Sequence, residues 1–211
     1  MRRRPRILVT GFSAFPGAPV NPTERLIAAL EARRSEFHGP DRLTFAVLAV
    51  DYGRLPAALG ELAKAVPHDI AIHFGLSAQA RGFTLERYAR NAFGPKPDNS
   101  GYLPAAGPIC AGPERLPSTL PLERLHDLLV NHGLPVSWSD DAGGYLCNYL
   151  FYLSRSGLVP EFTPGMSGFI HVPPLVGDWE ANTSAMALDV LVKGAALIIG
   201  HCADVWTKGK A

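Results

Sequence analysis

The chain carries little net charge, few cysteines and no long apolar run, and each shortage removes a class of protein. Its formal net charge is +1 over 211 residues, whereas binding a phosphate backbone by counterion release needs a clustered basic face. No nucleic-acid partner is expected. The only basic run, Arg2, Arg3, Arg4 and Arg6, reads as a solvated terminus. Three cysteines, Cys110, Cys147 and Cys202, form neither a paired disulfide framework nor a C-x-x-C half-site, as befits a reducing compartment. The seven histidines show no convincing metal-ligand spacing, so no metal is expected. No stretch approaches the length that spans a bilayer. The apolar ILVTGF after the arginines is too short for a secretory signal and is broken by Gly11, so it reads as a buried strand. A cytoplasmic protein with no membrane partner is the expectation. Internal repeats and low-complexity tracts are absent too.

What is present is 47% hydrophobic and 18% charged residues, the makeup of one domain over residues 1–211 with a substantial core. Short β-prone runs alternate with helix-period segments. The runs are RILVTGF, LTFAVLAV, DIAIHFG, PVSWS and SGFIHV. Helices are expected from Pro22, near Leu55 to Val66, from Leu122 to Asn131, from Cys147 to Leu153, and from about Asn182 toward Cys202. Such alternation predicts an α/β fold with a largely parallel sheet and functional loops at the carboxyl ends of its strands. Asn21 suits the N-cap of the first helix, Pro22 its first position, and Glu24 the far end of a capping box. Residues 92–121, dense in proline and glycine, read as a long ordered excursion, and such loops are usually functional or flexible.

VTGFSAFPG stands between a strand and a helix, where a nucleotide loop would lie. It lacks the middle glycine of a dinucleotide fingerprint and the lysine of a phosphate loop. Phe12 and Phe15 are better read as apolar walls of a small-molecule pocket, or as plugs between loop and core.

Among the cysteines, Cys147 alone has the setting of a nucleophile. A flexible AGG turn precedes it and a helix starts at it, so the helix N-terminus would stabilise a thiolate and its amides an oxyanion. Periodicity alone favours a buried core cysteine somewhat over a nucleophile. His171 ends an apolar strand before two prolines, at the sheet's carboxyl edge, and His73 is its rival for the base; His38, His68, His126 and His132 read as solvated. Glu86, in a β-prone segment among apolar residues, is the candidate acid to orient the imidazole. A salt bridge to Arg87 or Arg90 is the other reading.

Together and in order, six segments resemble the pyroglutamyl peptidase I family, the pyrrolidone-carboxylate peptidases of type C15. They are VTGFSAFPGAPVNPTERL, FTLERYARN, PDNSGYLP, GPERLPSTLP, AGGYLCNYLFYLS and GFIHVP. The resemblance implies a three-layer α/β/α sandwich assembled as a homotetramer. It also implies removal of N-terminal pyroglutamate from peptides through a thioester, with Cys147 as nucleophile, His171 as base and then acid, and Glu86 as orienting acid. Phe12, Phe15, Asn21, Tyr145 and Leu146 match family positions at the substrate. Three departures stand out. Gly144 replaces the family's threonine or serine, implying a looser turn before the nucleophile. FGLSAQARG lacks a tidy glycine-rich form, and residues 92–97 are about one residue short, which bears on substrate preference and on the second oxyanion donor. A cysteine hydrolase for another small acyl group, or a binding protein that keeps the pocket, are the competing readings.

Overall fold

The computed structural model describes residues 3–178 and 184–209. In chain order the elements are β1 (Arg6–Phe12), α1 (Pro22–Ala32), β2 (Arg42–Leu48), α2 (Arg54–Ala65), β3 (Ile70–Leu76), β4 (Phe83–Glu86), β5 (Tyr88–Arg90), β6 (Arg115–Pro117), α3 (Leu122–Asn131), β7 (Val136–Ser139), α4 (Leu146–Ser156), β8 (Met166–Val172) and α5 (Leu188–Lys208). Six strands form one sheet in the order β2-β1-β3-β8-β4-β7. Neighbours run parallel except β4 and β8, which pair antiparallel, so β4 and β7 oppose the other four. A separate β5–β6 hairpin holds the excursion.

Strand side chains alternate between the two faces of a sheet, and here each set meets its own helices. Ile7, Val9, Ile70, Ile72, Phe74, Phe83, Leu85, Ile170 and Val172 pack with Leu26 and Leu30 of α1, Leu125 and Leu129 of α3, and Leu191, Ala195, Ile198 and Cys202 of α5. Leu8, Phe12, Ala71 and Phe169 turn the other way, onto Leu55 and Leu59 of α2 and Leu150, Phe151 and Leu153 of α4. The result is the three-layer α/β/α sandwich. Each fully buried Leu or Phe adds about 1.5–3 kcal/mol, which is why strands buried on both faces read as continuous apolar runs.

Three local expectations need correction. Asn21 does cap α1, but its Oδ1 accepts from the Thr23 N–H (3.0 Å) and the Thr23 hydroxyl (2.8 Å), and Glu24 stays exposed, so no capping box forms. The last helix starts at Leu188 rather than near Asn182, which lies outside the described residues. Met186 is held extended just before it, donating to Pro174 O (2.9 Å) and accepting from Val176 N (3.1 Å). His68 is not solvated: it is buried, shares a 3.0 Å hydrogen bond with the Thr44 hydroxyl, and has its pKa lowered to about 4 by burial and the nearby Arg6. Its segment turns in toward β2, a tertiary placement that local polarity does not encode.

Candidate active site

Alternation along β4 and β8 decides which side chains meet. Ile170 and Val172 face α5, so His171 faces α4; Phe83 and Leu85 face α5, so Thr84 and Glu86 face α4 as well. The antiparallel register sets Thr84 opposite His171 and Glu86 opposite Phe169. That diagonal brings the carboxylate to the imidazole: His171 Nδ1 donates to Glu86 Oε1 at 2.7 Å. The pair is buried, with side chains 10% and 2% exposed. Arg87 is bidentate to Asp140, both contacts at 2.6 Å, and Arg90 pairs with Asp141 at 2.6 Å. Neither arginine is left for Glu86, so the salt-bridge reading of Glu86 falls away.

Cys147 reaches the same place from α4. Asp141 Oδ1 accepts from the Gly143 N–H at 2.9 Å and turns the chain, and Gly143 sits at φ +80, where a side chain would be strained. The helix then opens from Tyr145 with no side-chain cap, so its first-turn amides lack the partners that a capped helix would give them. Asn148, fully buried, locks this turn to the neighbouring segment: it donates to Arg90 O (2.8 Å) and Ala92 O (3.1 Å) and accepts from Arg90 N (2.8 Å). The thiol of Cys147 lines the same cavity wall as His171, close enough to act on its titration. Burial acts to lower the His171 pKa, but Cys147 and Glu86 outweigh it and push the value up to about 10. His171 therefore holds its proton at neutral pH and can serve an anionic sulfur.

The other candidates lie elsewhere. His73 is fully buried, bound to the Thr10 hydroxyl at 2.8 Å and lowered to about 3 by burial, which keeps it neutral within the core. Cys202 is buried on the core face of α5, where burial pushes its thiol well up, and Cys110 contacts the Tyr152 hydroxyl at 3.7 Å.

Cys147, His171 and Glu86 open onto a cavity of about 850 Å³. Of the residues expected against a substrate, Phe15 and Tyr145 line it, their rings 6.0 Å apart. Phe12, Asn21 and Leu146 are buried behind this lining at 3%, 2% and 1% exposure; Phe12 is a core plug. Asn21 is spent on α1 and on Ser13 O, to which it donates at 3.0 Å. Behind Tyr145 stand Tyr52, Phe93 and Tyr149, an aromatic wall with centroids 5.3–6.1 Å apart.

Two glycines complete the site and escaped the sequence reading as site residues. Gly75 lies opposite His171 in the β3–β8 register, and a Cβ on it would stand 2.8 Å from Cys147 Sγ. Its absent side chain is the room the thiol occupies. Gly94 N–H donates to Gly144 O at 2.6 Å, and a Cβ on Gly144 would lie 2.7 Å from Gly94 Cα. The turn before Cys147 is thus not looser: the loop at residues 92–97 crosses it backbone to backbone, a crossing that only glycine at both positions admits.

The model of the pyroglutamyl peptidase family matches residues 5–204. The pyrrolidone-carboxylate peptidase of Pyrococcus furiosus is 39% identical over 80% of this chain and 80% of its own. That of Vibrio parahaemolyticus is 31% identical over 97% of each. Among solved structures, a mutant pyrrolidone carboxyl peptidase from P. furiosus superposes with a TM-score of 0.83 at 31% identity, covering 94% of this chain and 98% of that one. The Thermus thermophilus pyrrolidone carboxyl peptidase gives 0.81 at 35%, covering 92% and 99%.

Proposed function

The chain belongs to the pyroglutamyl peptidase family and is a hydrolase of type C15; from that premise we propose that it releases N-terminal pyroglutamate from peptides through Cys147, His171 and Glu86. The observation that carries the reading is the 2.7 Å His171–Glu86 hydrogen bond buried beside the one thiol that opens onto the cavity, among the described residues.

In this mechanism Cys147 Sγ, as thiolate beside the His171 imidazolium, attacks the carbonyl carbon that joins pyroglutamate to the next residue. The oxyanion forms at the start of α4, where the Cys147 N–H and the helix dipole stabilise it. His171 passes its proton to the departing amine and the C–N bond breaks, leaving a thioester. The same imidazole, now neutral, takes a proton from water, which attacks the thioester and frees pyroglutamate with the thiolate restored. Glu86 holds the Nδ1–H and keeps Nε2 directed at the sulfur, a positioning role. Phe15 and Tyr145 supply flat apolar walls for the faces of a compact neutral lactam, with Phe12 and Leu146 supporting them from behind. No metal or cofactor enters any step. The reading also includes a single domain over residues 1–211 in the cytoplasm, assembled as a homotetramer. Among the described residues no helix is long and apolar enough to cross a membrane.

The test is release of a fluorophore from a pyroglutamyl amide under reducing conditions, against prolyl and alanyl amides. Turnover of the pyroglutamyl substrate alone, abolished in a folded Cys147→Ala protein, is the expected result. Turnover persisting in that variant would remove Cys147 from the mechanism, and prolyl turnover at an equal rate would remove the lactam specificity.

A further inference from the structure

A cavity of about 850 Å³ falls in the range that encloses a drug-sized ligand, roughly 300–1,000 Å³, far more than one five-membered lactam needs. The aromatic wall at Phe15 and Tyr145 occupies one side. On the other side lie the β3–β4 turn, Ser77 to Arg81, and a polar floor of Thr84, Ser137 and Ser139. Thr84 pairs with Ser137 in the parallel β4–β7 register and Glu86 with Ser139, so this floor continues the face that carries the catalytic pair. Thr84 and Ser137 share a 3.1 Å hydrogen bond. The peptide that departs from Cys147 has this half of the cavity to occupy.

The charges around it do not cancel. Four lining residues, Arg81, Glu86, Lys96 and Asp141, carry charge besides His171. Glu86 is committed to His171, and Asp141 to Arg90 at 2.6 Å and to the Gly143 N–H at 2.9 Å. Arg81 and Lys96, from the β3–β4 turn and the excursion, are exposed and have no hydrogen-bond or ion-pair partner among the described residues. Two uncommitted cations border the cavity and no uncommitted anion does. Lys96 is also placed rather than loose: the next residue, Pro97, accepts from the Tyr145 hydroxyl at 3.0 Å, which fixes that stretch of loop to the residue two before the nucleophile.

We propose that Arg81 and Lys96 are specificity residues for the leaving side, which favour peptides with a carboxylate within the first residues after pyroglutamate. The carboxylate is either an acidic side chain or the free terminus of a short peptide. This inference rests on the proposed peptidase reading and deepens it. Both cations are solvated, so the preference is set by modest attraction in high dielectric, about 5- to 10-fold in kcat/KM between an acidic and a basic peptide at low salt.

The experiment measures kcat/KM for pyroglutamyl-Glu, -Gln and -Lys amides and for pyroglutamyl-Gln as the free acid, at low salt and at about 0.5 M salt, where screening removes most of such an effect. The expected order is Glu above Gln above Lys among the amides, with the spread compressed at high salt and the acidic-to-basic ratio near 1 in the Arg81→Gln/Lys96→Gln double variant. A gain for the free acid over the Gln amide assigns the terminal carboxylate as a source; a gain confined to the Glu amide assigns the side chain. Equal rates across the series, or a ratio that survives in the double variant, overturn the inference while leaving the peptidase reading intact. Cleavage of none of them overturns both.

Discussion

Replacing Gly75 with alanine adds one methyl group at the point where the thiol, the imidazole strand and the core meet. The added Cβ would lie 2.8 Å from Cys147 Sγ and 2.6 Å from the Phe169 ring. Ordinary contact begins near 3.4 Å, so the sulfur must retreat by about 0.6 Å or more, a sizeable part of the ~1 Å misplacement that can cost 10²-fold in rate. Phe169 cannot yield freely, because its ring also packs 4.9 Å from the His171 ring and 6.2 Å from Phe151. Gly75 lies in a strand without positive φ, so alanine is tolerated by the backbone and the effect is steric. Overpacking of this kind costs about 1–3 kcal/mol, or roughly 2–4 °C in Tm per kcal/mol for a chain of this size. The expected result for Gly75→Ala is a folded protein with Tm lowered by about 2–12 °C, a kcat/KM about 10- to 100-fold down, and slower alkylation of Cys147. Gly200→Ala is the companion control: its added Cβ meets nothing within 4 Å, and replacing a mid-helix glycine gains about 0.5–1 kcal/mol without touching activity. Wild-type kcat/KM in Gly75→Ala would refute the placement of the thiol against β3.

Gly144→Ala should behave differently from Gly75→Ala, because its Cβ collides with Gly94 backbone at 2.7 Å rather than with the sulfur. The expected loss is the 2.6 Å Gly94–Gly144 hydrogen bond, read as a raised KM with a smaller fall in kcat; a KM unchanged from wild type would show that the crossing does not shape the substrate wall. Stability should peak near pH 6.5 and fall on both sides, checked by melting curves across the range. On the alkaline side, His171 is raised to about 10, so its contribution is full below the unfolded value of ~6.5 and lost as pH rises toward the folded one. On the acid side, His68 and His73 are lowered to about 4 and about 3, so the unfolded chain takes protons first and each histidine costs up to ~1.4 kcal/mol per pH unit between those limits. Glu86→Gln removes one partner of the imidazolium and should flatten the alkaline limb, while reducing activity less than Cys147→Ala; an unaltered alkaline limb would mean that Glu86 is not the group holding the His171 proton.

Much of this site was legible in the chain because its parts sit where local signals are strong. The end of a strand before two prolines marked His171, and a glycine turn before a helix marked Cys147. Glu86 was less secure, since two arginines nearby offered it equally good partners; only the fold shows that Asp140 and Asp141 take those arginines. The parallel sheet was readable from apolar runs, but the reversal of β4 was not, because direction is set by pairing across long separations. Gly75 and Gly94 left no distinguishable trace among 21 glycines, since the atoms they make way for come from α4 and from the Gly144 turn. Arg81 and Lys96 carry no local signal that sets them apart from other cations; only the fold brings both to one cavity. His68 was misjudged because its neighbours are polar in sequence, although β2 covers it in space.

The sheet order carries a consequence for how the chain is made. Among the described residues β8 is the last strand to be synthesised, yet it lies between β3 and β4. Until residue 172 has left the ribosome, β2-β1-β3 and β4-β7 are two half-sheets with facing open edges, the kind of surface that invites mispairing with other chains. The strand that joins them also delivers His171. On the proposed mechanism the nascent chain is chemically silent until β8 is in place, and turnover itself is the signal that this strand has gone in.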